Sequence, residues 1–288
     1  MNNFFSLMRK LQIHPLFWAV AALSIVTAHF QDLSILFLII FIHEMGHAMM
    51  ANSFSWRIKK ISLLPFGGVA EMDEHGNRPL REEAWVILAG PLQHLWLFLV
   101  GAIGYSLNLV PEDIYQLFVQ YNGMILLFNL LPIWPLDGGK LLFLLLSLKQ
   151  PFPEAHMNTI FLSIGSLVIF ILTNLFMNPF NLNVWMIVAF LLFSLYFEWR
   201  QHRFLFMRFL LERYYGKNPD FRSLQPITVQ KDELVVNVLK RFRRGCKHPI
   251  VIEGNGSEIG TLDENELLHV FFSDKLLTAK VGDLLYYY

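Results

Sequence analysis

Between Leu33 and Ser53 the chain is apolar and long enough to cross a bilayer, yet His43, Glu44 and His47 interrupt it. No other feature restricts the possible folds so much. In lipid the backbone must satisfy its own polar groups, which a single helix does. About 20 apolar residues at about 1.5 Å each cover a hydrocarbon core of about 30 Å. An ionised side chain at mid-depth costs about 2.5–3.5 kcal/mol, so such residues are retained for a function. The alternative is a pair of core histidines with a glutamate capping a polar group. The run His43-Glu44-Met45-Gly46-His47 has the HExxH spacing. Positions i and i+4 share one helix face, so both imidazoles can grip one zinc ion, and Glu44 is placed as general base toward an activated water.

The rest of the chain supports a membrane setting. Residues are 55% hydrophobic and 16% charged, against about 25% charged in soluble domains. Six spans are expected: Ile13–Phe30, Leu33–Ser53, Ala84–Leu107, the long apolar stretch Ile114–Leu148 (broken by Pro132, Pro135 and Gly138-Gly139), Ile160–Phe176 and Val184–Phe197. Gln31-Asp32 reads as a tight turn between the first two. The first apolar segment lacks a small-residue cleavage site and another span follows at once, so no cleavable signal is expected. In the loop Arg57–Arg81, Ile58–Leu64 and Val69–Met72 read as strands around the turn Pro65-Phe66-Gly67-Gly68.

Loop charge sets an orientation. Gln31-Asp32, Asn108–Asp113 and Met177–Asn183 carry no lysine or arginine, whereas Arg9, Lys10, Arg57, Lys59, Lys60, Arg78, Arg81, Lys149 and Arg200–Arg213 fall on the other side. The positive-inside rule puts both termini in the cytoplasm. The single cysteine, Cys246, excludes an intrachain disulfide, and the zero net charge gives no argument for nucleic-acid binding.

A catalytic zinc site needs a third protein ligand. Asp137 is the acidic residue well inside a later apolar segment, and Glu198 lies at a span's end. His43 and Asp137 each lie about 15 Å from the inner ends of their segments, Ser53 and Leu148. Asp137 also suits a helix cap after the Pro135 break. Pro132 and Pro135 free backbone groups that lipid cannot satisfy, so this stretch should line a protein-walled or watery cavity. Asn129 and Pro135 are the candidates for substrate contact, Asn129 by hydrogen-bonding a peptide backbone or else an adjacent helix. A helical substrate must be drawn out as a strand before hydrolysis, and the Ile58–Met72 hairpin offers an edge for it.

After Trp199 the character changes. Arg200–Lys217 is basic with interleaved aromatics, a surface helix or linker drawn to anionic lipid. From Phe221 to Tyr288 a small α/β domain is expected: a strand at Pro226–Val229, a helix at Leu234–Arg243, strands at His248–Glu253 and Glu258–Thr261 around an Asn255-Gly256 turn, and a helix at Asn265–Phe272. The domain plan is therefore 1–199, a linker at 200–220, and 221–288.

HExxH in an early span, the later run from Asn129 through Pro132 and Pro135 to Asp137-Gly138, and the PFGG hairpin together resemble the site-2 protease family of intramembrane zinc metalloproteases. The resemblance covers Leu33 to Lys140. It implies zinc on His43, His47 and Asp137, with Glu44 as the catalytic base. The tail resembles a single cystathionine-β-synthase-type (CBS) domain, which implies pairing into a homo-oligomer and ATP as a candidate second ligand, its binding residues unassigned. Six spans with one such tail resemble the members that release a membrane-tethered pro-sigma factor into the mother cell during sporulation. That likeness implies the forespore membrane as location and inhibitory membrane-protein partners. The chief rival is a transporter or channel with a CBS-type regulatory tail, since broken helices with polar mid-depth residues also suit transport. A membrane metalloprotease of another family, with a glutamate third ligand (Glu71, Glu82 or Glu83, all in the loop) and a soluble or terminal-cleavage substrate, and a zinc-binding scaffold without activity complete the alternatives.

Overall fold

In the computed structural model, the described residues are 11–13, 15–27, 30–64, 67–72, 78–216, 223–254, 257–276 and 278–285. They form a mostly helical chain with small sheets. In order come β1 (Leu11–Ile13), α1 (Pro15–Val26), α2 (Phe30–Ser53), β2 (Ile58–Leu64), β3 (Gly67–Met72), α3 (Leu80–Ser106), α4 (Glu112–Asn129), α5 (Asp137–Ser147), α6 (Phe152–Met177) and α7 (Leu182–Tyr215). Then follow β4 (Ser223–Leu224), β5 (Ile227–Gln230), α8 (Val235–Leu239), β6 (Cys246–Lys247), β7 (Ile250–Gly254), β8 (Ser257–Leu262), α9 (Glu264–Phe272) and α10 (Val281–Leu284).

Among the described residues, α2, α3, α6 and α7 are long and apolar enough to cross a membrane. The shortest, α2, has 24 residues, about 36 Å of helix. Leu95, Leu99, Phe161, Ile169 and Phe193 stand exposed along these helices. Such apolar surface is a liability in water and a match for lipid. Two compact units divide the chain: Met1–Glu74, Arg81–Leu142 and Leu162–Leu195 form one, and His75–Leu80, Phe143–Phe161 and Tyr196–Tyr288 the other.

In the first unit, α2, α3 and α4 meet through two apolar clusters. Met45, Ala48 and Ala51 of α2 pack with Trp56, Ile58 and Val86, and Ile39 packs with Leu97 and Ile125. A third cluster joins the turn after α4 (Ile133, Leu136) to Leu167 of α6 and Leu191 and Leu195 of α7. The sheet runs β1-β2-β3, with β1 parallel and β3 antiparallel to β2.

Several boundaries differ from expectation. Gln31 and Asp32 are helical, not a turn: α2 begins at Phe30. Neither residue breaks a helix, and Asp32 at an N-terminal turn favours the helix dipole while accepting a hydrogen bond from Tyr121 Oη at 3.0 Å. The first apolar segment opens with a strand, and α1 has only 12 residues, about 18 Å. The hairpin strands fall where expected, with β3 starting two residues earlier; the turn residues Pro65 and Phe66 lie outside the described residues. The basic run after Trp199 continues α7 through Tyr215.

The second unit carries a sheet ordered β5-β7-β8, β5 parallel and β8 antiparallel to β7, and a separate β4–β6 pair. Ile250 and Ile252 of β7 are fully buried, as one face of a half-covered strand should be. Asp263 caps α9 and makes a capping box with Glu266. The helix expected at Leu234–Arg243 stops at Leu239, where Arg241 and Phe242 switch to i−3 hydrogen bonds. That tightening carries Phe242 into the core, fully buried. The expected Asn255-Gly256 turn lies outside the described residues.

Candidate metal centre

Mid-way along α2, residues His43 to Ala48 are all buried. His43 Nε2 and His47 Nε2 lie 3.1 Å apart, as one helix turn dictates. Asp137, the first residue of α5, brings Oδ2 to 3.0 Å from His47 Nε2 and 3.1 Å from His43 Nε2. Two prolines and the Gly138-Gly139 pair end α4 and restart the chain as α5, and this break is what delivers the carboxylate. The three atoms form a near-equilateral triangle, and they are the group able to hold a metal ion among the described residues. Tetrahedral zinc at about 2.0–2.1 Å from each ligand needs them about 3.3 Å apart, a small expansion of the observed triangle. Three lone-pair donors facing one another are repulsive unless a cation sits among them, so the donor set itself fits zinc.

Each donor is held from behind. His47 Nδ1 lies 2.7 Å from the Val86 carbonyl, an acceptor, so Nδ1 carries the proton and Nε2 the lone pair. Lys140 Nζ donates to Asp137 Oδ1 at 3.1 Å, one helical turn on, leaving Oδ2 for the centre. His43 Nδ1 meets His94 Nε2 at 3.0 Å. Glu44 is 8% exposed, and its carboxylate accepts no hydrogen bond from the described residues.

Close approach of α3 makes this possible. A Cβ built on Gly90 would collide with the His47 ring and come within 2.8 Å of His43 Cε1. Gly46 of α2 is equally tight, its Cβ position lying 2.6 Å from the Ala89 carbonyl. Small residues at a helix crossing allow backbones to approach in lipid; here the space freed is filled by the two imidazoles.

Of the residues singled out by sequence, His43, His47 and Asp137 converge, and Glu44 lies on the same helix turn. Asn129 ends α4 with its amide donating to the Ile125 carbonyl at 3.1 Å, and Pro135 follows a cis bond in the turn between α4 and α5. Two of the rival ligands are engaged elsewhere, Glu198 with His156 Nε2 at 2.8 Å and Glu82 with Trp56 Nε1 at 2.9 Å. The motif does not reach His94, Asn122, Lys140 or Gly90. For His94 and Asn122 a signal existed, since each is a polar side chain within an apolar span.

Comparison with known proteins agrees with this geometry. The sequence profile of Peptidase family M50 matches residues 32–110 and 105–172. The chain is 47% identical over 285 residues to Stage IV sporulation protein FB of Bacillus subtilis, covering 99% of each. It is 32% identical over 145 residues to a zinc metalloprotease of Methanocaldococcus jannaschii, covering 48% of this chain and 38% of that one. Among solved structures, the site-2 protease from Methanocaldococcus jannaschii superimposes with a TM-score of 0.51 at 27% identity, over 65% of this chain and 89% of that one. An HExxH helix, a buried aspartate completing its metal triangle and a whole-length relative together assign the chain: it belongs to peptidase family M50, the site-2 proteases.

Proposed function

We propose that this chain cuts a membrane-tethered protein within the bilayer, with His43, His47 and Asp137 as zinc ligands and Glu44 as general base. The observation that carries the assignment is the triangle of Nε2, Nε2 and Oδ2 atoms on the helix turn that also carries Glu44. Bound zinc supplies Lewis acidity, lowering the pKa of water and polarising the peptide carbonyl. Glu44 takes the proton from the attacking water. As the C–O bond forms and the C–N bond breaks, Glu44 returns that proton to the leaving nitrogen and ends as a carboxylate. Asn129 and Pro135 are assigned to substrate contact, and β2–β3 to pairing with the extended substrate.

The finer organisation belongs to the same proposal. Six crossings result if α1 and the α4–α5 pair join the four long helices, with both termini cytoplasmic by loop charge. The chain divides functionally into a protease domain at 1–199, a basic linker at 200–220 and a CBS-type regulatory domain at 221–288. Whole-length likeness to a stage IV sporulation protein supports a pro-sigma factor as substrate, the forespore membrane as location, and inhibitory membrane-protein partners. ATP as a ligand of the regulatory domain is read from a cleft of about 560 Å³ lined by Arg241, Arg243 and His248 beside Pro151 and Glu154, and a homo-oligomer through that domain is part of the same proposal.

The test is Glu44→Gln in the purified, reconstituted protein. Zinc content should stay at the wild-type level while cleavage of a membrane-tethered substrate falls about 10²–10⁴-fold. Near wild-type cleavage by that variant would overturn the assignment of Glu44.

A further inference from the structure

His94 and Asn122 are both fully buried and neither touches the metal triangle directly. They form a chain behind it. His43 Nδ1 lies 3.0 Å from His94 Nε2, His94 Nδ1 lies 2.7 Å from Asn122 Oδ1, and Asn122 Nδ2 donates to the His94 carbonyl at 3.0 Å.

Hydrogen-bond logic runs through this chain in one direction. The donation of Asn122 Nδ2 to a carbonyl, which can only accept, fixes which end of the amide is oxygen. Oδ1 therefore faces His94 Nδ1, which must carry the proton. His94 Nε2 is left as an acceptor, so His43 Nδ1 must donate to it. A neutral imidazole has one N–H, and the lone pair of His43 is thereby forced onto Nε2, the atom in the triangle. With the Asn122 amide reversed, every link would invert and His43 Nε2 would carry a hydrogen where a metal must bind. His47 receives the same service from a single carbonyl, Val86, at 2.7 Å.

We propose that His94 and Asn122 are positioning residues that set the tautomer and ring orientation of His43 for metal binding. The proposal rests on the reading of His43 as a ligand. Partners behind metal ligands contribute about 10–100-fold in affinity when removed.

The test measures zinc affinity of the full chain by chelator competition, with the cobalt-substituted absorption spectrum as second readout. His94→Leu and Asn122→Leu should each weaken zinc about 10–100-fold and alter the cobalt spectrum. His94→Gln, whose carbonyl can accept from His43 Nδ1, should restore most of the affinity and the wild-type spectrum. Unchanged affinity and spectrum in His94→Leu, or a His94→Gln variant as weak as His94→Leu, would overturn the proposal; the second result assigns the loss to packing. His43→Ala separates this from the parent reading: if it binds zinc like wild type, His43 is no ligand and the parent reading fails first.

Discussion

Gly90 gives the sharpest test of how the metal centre is packed. A glycine inside a helix normally costs about 1 kcal/mol relative to alanine, but for Gly90→Ala that gain is blunted because a Cβ before Pro91 crowds the proline ring. The added methyl would also collide with the His47 ring and crowd His43 Cε1 at 2.8 Å. The neighbours that must move are the imidazoles themselves, held by Val86 and His94. The expected outcome is that Gly90→Ala melts below the wild type even without metal, because the collision does not depend on zinc, and that zinc occupancy and cleavage both drop sharply. Melting curves beside metal analysis check it, and a Gly90→Ala protein with full zinc would show that the two helices separate easily.

At the level of elements, α7 ends by plugging into the sheet-bearing part of its own unit. Arg213, 3% exposed, forms a bidentate pair with Glu264, 1% exposed, at the start of α9. It also donates to the carbonyls of Cys246 and, at 2.8 Å, Arg243, while Glu264 accepts from His248 N at 2.8 Å. Removing one member of such a pair leaves a buried charge and costs about 3–5 kcal/mol. Arg213→Ala and Glu264→Ala should each make this unit melt early and open it to protease, and the double variant should be less damaged than the sum of the two. Additive losses would mean the residues act separately. That α7 reaches Arg213 at all was hidden in the sequence by a change of solvent. The shift from apolar to basic at Arg200 marks where a helix leaves lipid, not where its hydrogen bonds stop, and no proline or glycine lies between Phe197 and Tyr215. The same error accounts for Gln31-Asp32. By contrast, His43, His47 and Asp137 were legible, because an ionisable group in an apolar span is costly enough to stand out. The β1–β2 pairing and the His43–His94–Asn122 chain were not, since neither periodicity nor spacing encodes contacts between distant segments.

For the whole molecule, the proposed orientation decides where the product goes. His43 lies about 15 Å along α2 from its Ser53 end, and the basic segments gather on that side. A substrate cut there would be released toward the lysine- and arginine-rich face, which the positive-inside rule assigns to the cytoplasm. The chain supplies its own background for a test. Its single cysteine, Cys246, is 4% exposed, and burial pushes its thiol pKa up, so little reactive thiolate exists at neutral pH. Leu109 and Phe180, in the lysine- and arginine-free connections, are 74% and 93% exposed, and Glu258 is exposed on β8. In intact bacterial cells, a membrane-impermeant maleimide should label Leu109→Cys and Phe180→Cys and leave both wild type and Glu258→Cys unlabelled. Permeabilising the cells should then expose Glu258→Cys and still spare Cys246. Labelling of Glu258→Cys from outside, with Leu109→Cys protected, would reverse the orientation and send the cleaved product out of the cytoplasm, which excludes a transcription factor as the released fragment.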